Sequence, residues 1–484
     1  MSTIKDLQPK ELWNNFYSLT QCPRPSKHEE IVREMLVKFA KDHNIECYVD
    51  KIGNIIMRKP ATKGMENRRG VILQAHVDMV PQKNNDKQHD FLTDPIETRI
   101  IDGWVWANGT TLGADNGIGA AAAMTVLASD TIQHGPIEAL FTIDEETGMT
   151  GAENLEQGVI KGDLLLNLDS ETEGELYVGC AGGIDATMHI PASKSAAPKG
   201  YVAYTLTVGG LKGGHSGMDI ILGRGNANKI LFRALRWVAE CGLRIISIDG
   251  GNMRNAIPRE AVATIAFPAE HKDCILAEFD KVQGWVKKEL SATEPDFTMS
   301  YAEAKMPSRV YTGVATQRII NTMMAIPNGV QRMSDSMPGL VETSLNVAIA
   351  RTKGEEFQIM ALLRSSVDTA KDALAERLVC LAELAGGTCD LTGAYPGWKP
   401  NMESPLLKCM QDTYKKLYKT EPKVMAIHAG LECGLLGGMY PNWDMISFGP
   451  TIMSPHSPAE RVNIDSVGKF FEYLCEVLKV VPQK

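Results

Sequence analysis

The segment LFTIDEETGMTG, from Leu140 to Gly151, places two glutamates side by side just after a run that is typical of a β-strand. Adjacent carboxylates repel each other, so Glu145 and Glu146 need either full solvation or a compensating positive charge. A divalent cation would supply that charge, because carboxylates are among its common ligands. The pair is therefore a candidate element for metal binding or acid–base chemistry.

The motif QAHVDMV holds His76 and Asp78 at the end of another strand-like run. Side chains alternate along a strand, so the H-x-D spacing puts the imidazole and the carboxylate on the same side. Asp78 can then accept the second imidazole N–H and fix the tautomer, as metal-binding histidines require. Taken alone, the same spacing also describes a purely structural pair.

Three more residues are candidates for the same site. Asp115 in TTLGADNGIG stands among glycines at a helix start, where an N-cap is the alternative function. Asp169 follows the strand-like LLLNL, and His456 lies among prolines in MSPHSPAERVNI. Each is uninformative alone. Two histidines and three carboxylates together suit two divalent ions that share a bridging carboxylate, about 3.5–4 Å apart in such sites.

These side chains fall where an α/β sheet would collect them. VILQAHVDMV, IEALFTIDEE and GDLLLNLDS are short apolar runs that end in polar residues, as is typical of strands buried on both faces. In open α/β sheets, functional residues gather outside the carboxyl ends of the strands. Ser26 and Glu29 have the spacing of a capping box, which predicts the start of a helix there.

The domain organisation follows from length and from a change of pattern. A chain of 484 residues exceeds one ordinary core, which predicts two or three domains. From about Tyr201, strands interleave with long helices in two weakly similar halves, which indicates a separate α+β insertion. We predict an α/β fold in which a discontinuous catalytic domain spans 1–186 and 398–484, with an inserted α+β lid domain over 187–397.

Composition excludes several classes of function. A net charge of −9 disfavours nucleic acid or an anionic membrane as the main partner. No apolar run approaches the roughly 20 residues of a spanning helix, and the N-terminus lacks an apolar signal core. Ten cysteines without a C-x-x-C pair predict neither a disulfide framework nor a zinc ribbon. We therefore expect a cytoplasmic protein whose metal is held by histidine and carboxylate.

In combination, several motifs resemble those of the dinuclear zinc exopeptidases: HVDMVPQKN, GTTLGADNGIG, DEETGMTGA, LLNLDSE, CAGGID, GGHSG and SPHSPAERV. The resemblance covers essentially the whole chain, including the predicted lid. It implies a metallo-dipeptidase that hydrolyses unblocked dipeptides of broad specificity. Dipeptides of the Xaa-His type are expected substrates, and β-alanyl-His is a further candidate.

The resemblance implies a set of metal ligands. His76 and Asp169 would hold one zinc ion, and Glu146 and His456 would hold the other. Asp115 would bridge the two ions. Cobalt or manganese are alternatives to zinc, because affinity order alone does not determine which metal is loaded.

The resemblance also implies roles around those ligands. Asp78 would orient His76, and Glu145 would act as catalytic base on a water that bridges the ions. Glu145 would take a proton from that water and deliver it to the departing amine. A cis peptide is expected between Asp115 and Asn116.

Three residues of the predicted lid resemble substrate-binding residues of this family. His215 in LKGGHSGMD would donate to the developing oxyanion, and Arg364 in IMALLRSS would clamp the substrate's C-terminal carboxylate. Asn255 in NMRNAIP would contact the substrate, whereas an ordinary turn histidine and a surface arginine are the structural alternatives for the other two. From charge alone, we infer that Glu432 in AIHAGLECGLLGG pairs with the substrate's α-ammonium group.

Two other functions remain open from the sequence. A deacylase acting on N-acylated amino acids would use the same ligands and the same base. A metal-containing binding protein would be expected to lack Glu145 or a ligand, and this chain has them all. The oligomeric state is also open, because relatives with a small lid borrow a lid histidine from the partner in a homodimer. The two-part lid either replaces that partner or still dimerises.

Overall fold

The computed structural model describes residues 3–484, which form two compact units. Unit 1 contains the chain up to Gly179 together with Pro400–Ala426 and Leu431–Lys484. Unit 2 contains Cys180–Lys399 and the short segment Ile427–Gly430, which the sequence analysis had assigned to the catalytic domain. The division into a catalytic and a lid domain stays a prediction about function.

Twelve α-helices occur in the described residues, and nine of them have 11 residues or more. Their bounds are α1 (Lys10–Thr20), α2 (Glu30–Asp42), α3 (Ala114–Ala128), α4 (Glu145–Gly148), α5 (Thr150–Glu153), α6 (Ala227–Trp237), α7 (Lys272–Glu289), α8 (Gly313–Ala325), α9 (Asp368–Leu384), α10 (Pro405–Tyr418), α11 (Glu432–Met439) and α12 (Ile464–Val480). None of them, within residues 3–484, combines the length and the apolar character needed to span a bilayer.

The same residues contain 25 β-strands, most of them short. Their bounds are β1 (Glu46–Val49), β2 (Ile55–Lys59), β3 (Val71–His76), β4 (Thr98–Ile101), β5 (Trp104–Ala107), β6 (Ile137–Thr142), β7 (Leu164–Asn167), β8 (Glu175–Cys180), β9 (Gly182–Pro191), β10 (Lys194–Ala196), β11 (Tyr201–Gly209), β12 (Gly214–His215), β13 (Arg244–Gly250), β14 (Ala256–Ile257), β15 (Ala261–Pro268), β16 (Thr298–Ala304), β17 (Arg309–Tyr311), β18 (Gly329–Met333), β19 (Val341–Lys353), β20 (Glu356–Ser365), β21 (Thr388–Tyr395), β22 (Lys423–Ile427), β23 (Asp444–Ser447), β24 (Ile452–Met453) and β25 (Arg461–Asn463).

Unit 1 is built on an eight-stranded sheet with the order β1-β2-β6-β3-β7-β23-β8-β22. Its centre is parallel: β3 pairs with β6 on one side and with β7 on the other. Every residue of these three strands is buried, as expected for strands covered on both faces. Because the three strands are parallel, their carboxyl ends meet at one edge of the sheet.

A small four-stranded sheet, in the order β24-β25-β5-β4, joins two distant parts of unit 1. Strand β25 pairs with β5, so that Val462 lies opposite Val105. The loop between β24 and β25 carries His456, and the chain after β5 leads into α3. This pairing brings the loop of His456 to the segment that precedes α3, which the sequence analysis did not predict.

Unit 2 contains a nine-stranded sheet in which every recorded strand pair is antiparallel. Along the chain, α6, β13, β15 and α7 are followed by α8, β19, β20 and α9. Each half therefore contains a helix, two long strands and another helix, with shorter strands added. A buried apolar core packs these helices against the sheet. The architecture confirms the predicted mixed α/β class.

The predicted capping box at Ser26 is wrong. Helix α2 begins at Glu30 with Glu29 as its N-cap, and no side chain caps it. The hydroxyl of Ser26 instead donates to Asp78 Oδ2 at 2.8 Å. Glu29 Oε1 accepts the backbone N–H groups of Lys27 and Asp144 at 2.8 and 3.1 Å. The Ser26–Asp78 and Asp144–Glu29 hydrogen bonds thus fasten the start of α2 to the strand ends.

Candidate metal centre

The candidate ligands are positioned by the ends of the three central strands. β3 ends at His76, and β7 ends two residues before Asp169. After β6, Asp144 adopts a left-handed backbone conformation with φ of 51°, and the chain turns into α4 at Glu145. The Asp144 carboxylate accepts hydrogen bonds from the hydroxyls of Thr147 and Thr150, which stabilise the turn. The paired glutamates are therefore presented by a braced turn.

Two imidazoles each face two carboxylates. His76 Nε2 lies 3.1 Å from Asp115 Oδ1 and 3.3 Å from Asp169 Oδ1. His456 Nε2 lies 3.1 Å from Asp115 Oδ2 and 3.0 Å from Glu146 Oε2. The two oxygens of Asp115 thus serve different histidines. This is the arrangement that a carboxylate bridging two cations requires.

The donor set fits divalent metal ions. Ligand atoms lie within 4.8 Å of one another in three overlapping groups, which are His76, Asp115 and Asp169; Asp115, Glu146 and His456; and His76, Glu145 and Glu146. Buried Glu146 Oε1 has no hydrogen-bond partner within residues 3–484. Imidazole nitrogens and carboxylate oxygens are suitable ligands for zinc. The residues of this site can hold metal ions, and cations would relieve the repulsion among its carboxylates.

Asp78 contacts His76 and the backbone of the two glutamates. Its side chain is fully buried, and Oδ1 lies 3.3 Å from His76 Nδ1. Its two oxygens accept the backbone N–H groups of Glu145 at 3.0 Å and Glu146 at 3.2 Å. Burial opposes ionisation of Asp78, but the hydrogen bond and charge of His76 outweigh it and lower the pKa to about 2. One carboxylate therefore orients the histidine and the glutamate pair.

The start of α3 decides between the two interpretations of Asp115. Gly113 occupies the N-cap position, with φ of 69°, and Ala114 is the first helical residue. Asp115 has non-helical φ and ψ, as an N-cap residue also does, but its two carboxylate oxygens face His76 and His456 and not the first amides of the helix. The peptide bond between Asp115 and Asn116 is cis, which confirms that prediction. The side chain of Asn116 donates to Asp169, so this turn also contacts the neighbouring ligand.

Burial and neighbouring charge act strongly on Glu145 and His456. Burial raises the pKa of Glu145 well above its ordinary value; His76 opposes this effect, and Asp169 adds to it. The hydrogen bonds to Asp115 and then Glu146 raise the pKa of His456 to about 11. Without metal, His456 therefore carries a proton at neutral pH, and that proton competes with any cation for the ring nitrogen.

We expect metal binding at this site to strengthen with pH. Since the His456 pKa is about 11 without metal, an ion that binds Nε2 must displace a proton. Affinity should rise between about pH 6 and 8, with release of about one proton from His456. Calorimetric zinc titrations in buffers of different ionisation enthalpy would measure this release, with exposed His271→Ala as the control. A proton release of zero, equal in all buffers, would contradict the prediction.

Unit 2 brings together the three lid residues that the sequence analysis singled out. His215 in β12 pairs with Ala256, the residue that follows Asn255. The backbone N–H of Ser216 donates to the carbonyl of Asn255 at 2.8 Å, and the Ser216 hydroxyl lies 3.4 Å from Arg364 Nε. Arg364 is only 6% exposed, so it is not the surface arginine of the structural alternative.

The sequence analysis did not single out His428, which belongs to the same cluster. His428 Nε2 lies 2.7 Å from the hydroxyl of Ser344, and Ser344 is the cross-strand partner of Arg364. Burial, with a contribution from Arg364, lowers the pKa of His428 to about 3, so the ring is neutral. The only signal in the sequence is a histidine in the glycine-rich segment AIHAGLECGLLGG.

The structure places Glu432 at the start of α11, beside β3 and β6. Its side chain is 1% exposed and sits at the start of α11 inside unit 1. Oε2 accepts hydrogen bonds from Gln74 Nε2 at 2.6 Å and from the Thr142 hydroxyl at 3.0 Å. Gln74 and Thr142 belong to β3 and β6, so Glu432 fastens α11 to the central sheet. Its other oxygen, Oε1, is buried without a hydrogen-bond partner within residues 3–484, and the pairing of Glu432 with the substrate's α-ammonium group stays a prediction.

Comparisons with known proteins agree along the whole chain. Residues 72–480 match the sequence profile of Peptidase family M20/M25/M40. The chain is 47% identical to the cytosol non-specific dipeptidase of Escherichia coli K12, over 100% of both chains. It is 49% identical to the crystal structure of aminoacylhistidine dipeptidase from Vibrio alginolyticus, with a TM-score of 0.96 and coverage of 100% and 99%. These matches confirm the resemblance that the motifs predicted.

A more distant structure shares the fold. Aminopeptidase PepT from Bacillus cereus is 18% identical, with a TM-score of 0.58 and coverage of 98% of each chain. At this level of identity the likeness supports the fold alone.

Proposed function

Since the chain belongs to Peptidase family M20/M25/M40, we propose that it is a dinuclear metal-dependent dipeptidase that hydrolyses unblocked dipeptides of broad specificity. Xaa-His dipeptides are included, and β-alanyl-His is a further substrate to test. The observation that carries the proposal is the sharing of the Asp115 oxygens between His76 and His456. The full-length E. coli relative supports the substrate class by its name, and also supports a cytosolic location.

We assign two zinc ions to the site. His76 and Asp169 would hold one, Glu146 and His456 would hold the other, and Asp115 would serve both. The support is that both sets of ligand atoms fall within 4.8 Å of one another. Bound divalent ions supply Lewis acidity and make water acidic enough to react near neutral pH.

Glu145 is the proposed general base. Its backbone N–H is held by Asp78 at 3.0 Å, and its side chain is not a member of either ligand set assigned above. Glu145 takes a proton from the attacking water on a carboxylate oxygen and then delivers it to the nitrogen of the departing amine. Burial raises the pKa of Glu145, which makes its carboxylate a stronger base for the first of these transfers.

His215 is the proposed donor to the developing oxyanion, and its hydrogen bonds determine the tautomer that does this. Its Nδ1 accepts the backbone N–H groups of Gly217 and Met218 at 3.2 and 3.0 Å. The proton of the neutral ring is therefore on Nε2, which is a donor. Burial, followed by the charge of Arg364, lowers the pKa of His215, so the ring stays neutral at physiological pH.

Arg364 is the proposed clamp for the substrate's carboxylate. Nη1 donates to the Tyr395 hydroxyl at 3.0 Å, and Nε lies 3.4 Å from the Ser216 hydroxyl. A guanidinium has five N–H donors, so its remaining donors are available for a two-pronged bond to a carboxylate. The side chain of Asn255 is exposed and is assigned a polar contact with the substrate.

A substrate panel tests the proposed function. The purified protein should hydrolyse unblocked dipeptides such as Gly-His and Leu-Gly. It should cleave their N-acetylated forms at least about 100-fold more slowly, because acetylation removes the charge of the α-amino group and with it the polar contacts that this group makes. A chelator should abolish the activity, and added zinc should restore it. Amino-acid release, followed by chromatography, is the measurement.

The same panel separates the alternatives. Faster hydrolysis of N-acetylated amino acids than of unblocked dipeptides would identify a deacylase. Activity that survives complete removal of metal, verified by elemental analysis, would contradict the metal-dependent mechanism.

A further inference from the structure

Glu460 lies in a loop of unit 1 and has an unusual set of hydrogen-bond donors. Its side chain is buried, with 2% exposure. Oε2 accepts the backbone N–H groups of Leu112 at 2.7 Å and Gly113 at 3.0 Å. Oε1 accepts those of Ala114 at 2.7 Å and Asp115 at 3.3 Å. One carboxylate thus binds successive amides around the start of α3, which lack helical acceptors of their own.

The position of Glu460 links two ligands. It follows His456 by four residues in the loop that joins β24 to β25. Strand β25, which begins at Arg461, pairs with β5 and so holds this loop beside the segment that leads to Asp115. The Glu460 carboxylate therefore connects the loop of His456 to the backbone N–H of Asp115. The side chains of these two candidate ligands lie 3.1 Å apart, measured from His456 Nε2 to Asp115 Oδ2.

Arg24 holds the same segment from the other side. It is 1% exposed, and its Nη2 donates to the carbonyl of Gly113 at 2.6 Å. Its Nη1 donates to the carbonyls of Val77 and Asp78 at 2.9 and 3.0 Å, directly after His76. A Cβ added at Gly113 would come within 2.5 Å of Arg24 Nη2, so only glycine fits between them. Arg24 and Glu460 together therefore join, by hydrogen bonds, the segments that carry His76, Asp115 and His456.

We propose that Glu460 is a positioning residue that sets Asp115 between His76 and His456, so that both of its oxygens face a cation at once. This inference rests on the proposed function and deepens it. Outer-shell groups that orient ligands typically change metal affinity by roughly 10- to 100-fold. Glu460 acts through the Asp115 backbone and does not itself touch the ligand nitrogens.

The test is the Glu460→Gln variant. A glutamine amide offers one acceptor oxygen and turns an N–H donor towards backbone donors, so it cannot hold all of the amides. Metal-free protein would be titrated with cobalt, and the visible spectrum would report the number, affinity and geometry of the bound ions. We expect the weaker of two cobalt affinities to fall about 10- to 100-fold, an altered spectrum, and a lower kcat with little change in KM.

Two further variants make the result decisive. Glu403→Gln changes an exposed glutamate of the same unit and should match the wild type. Glu460→Asp keeps the charge but is one methylene shorter, and it carries the same test if Glu460→Gln does not fold. Its cobalt affinity should fall between those of the wild type and Glu460→Gln.

Unchanged cobalt affinity and spectrum in the folded variants would overturn the inference. So would a lower melting temperature of the metal-free protein together with normal cobalt binding, since that pattern describes a merely structural role. If the wild type itself holds no pair of ions or cleaves no dipeptide, the proposed function fails instead, and this outcome is visible before any variant is made.

Discussion

Changing Glu145 to Gln is expected to lower kcat by about 10²- to 10⁴-fold, the usual contribution of a general acid–base residue, while bound metal is retained. The amide keeps the size of the side chain but cannot accept a proton from water. The backbone N–H of residue 145 still donates to Asp78 at 3.0 Å, so the turn should be preserved. Steady-state kinetics on a dipeptide and elemental analysis of the same preparation measure both quantities.

The matched control is Glu153→Gln, an exposed glutamate in α5 just after the site. It should keep wild-type kcat and metal content. Near-normal turnover in Glu145→Gln would show that another group handles the proton. Loss of metal in that variant would place Glu145 among the ligands.

Changing Asp115 to Asn should remove at least one ion and nearly all activity. Asp115 presents one oxygen to His76 and the other to His456, whereas an amide has a single oxygen. The loss of a direct ligand should reduce metal affinity by more than the roughly 10- to 100-fold typical of outer-shell changes. Metal content after dialysis, and cobalt titration of the metal-free protein, provide the measurement.

Asp130→Asn, at an exposed position just after α3, is the control and should retain both ions. Two ions bound with wild-type affinity in Asp115→Asn would contradict a bridging carboxylate. Loss of a single ion, with the other unchanged, would show that Asp115 serves mainly one of them.

The convergence of the site residues was predictable from local pattern. The apolar run of β3 ends at His76, and those of β6 and β7 are followed closely by Glu145 and Asp169. Parallel strands present equivalent ends at one edge of a sheet, so these side chains meet there once the strands are adjacent. The identity of the fold class followed from the same alternation of strand and helix patterns.

The pairing of distant segments was not predictable in this way. The small sheet joins β25 to β5, and the order β6-β3-β7 differs from the order along the chain. Local patterns indicate that a strand exists but not which partner it selects, because pairing depends on side-chain packing across the assembled sheet. The approach of His456 to Asp115 was therefore predicted from the family resemblance, and the structure supplied the distance between them.

The candidate side chains at the ends of β3, β6 and β7 were thus indicated by the sequence alone, because residue type and position at a strand end suffice to single them out. Only the tertiary structure revealed the buried partners of two other glutamates. Glu432 and Glu460 both occupy loop or helix-start segments, yet each is buried by partners at least 290 and 345 positions away, respectively. A carboxylate becomes part of the scaffold when buried N–H and O–H groups satisfy it, and those donors are assembled only by folding.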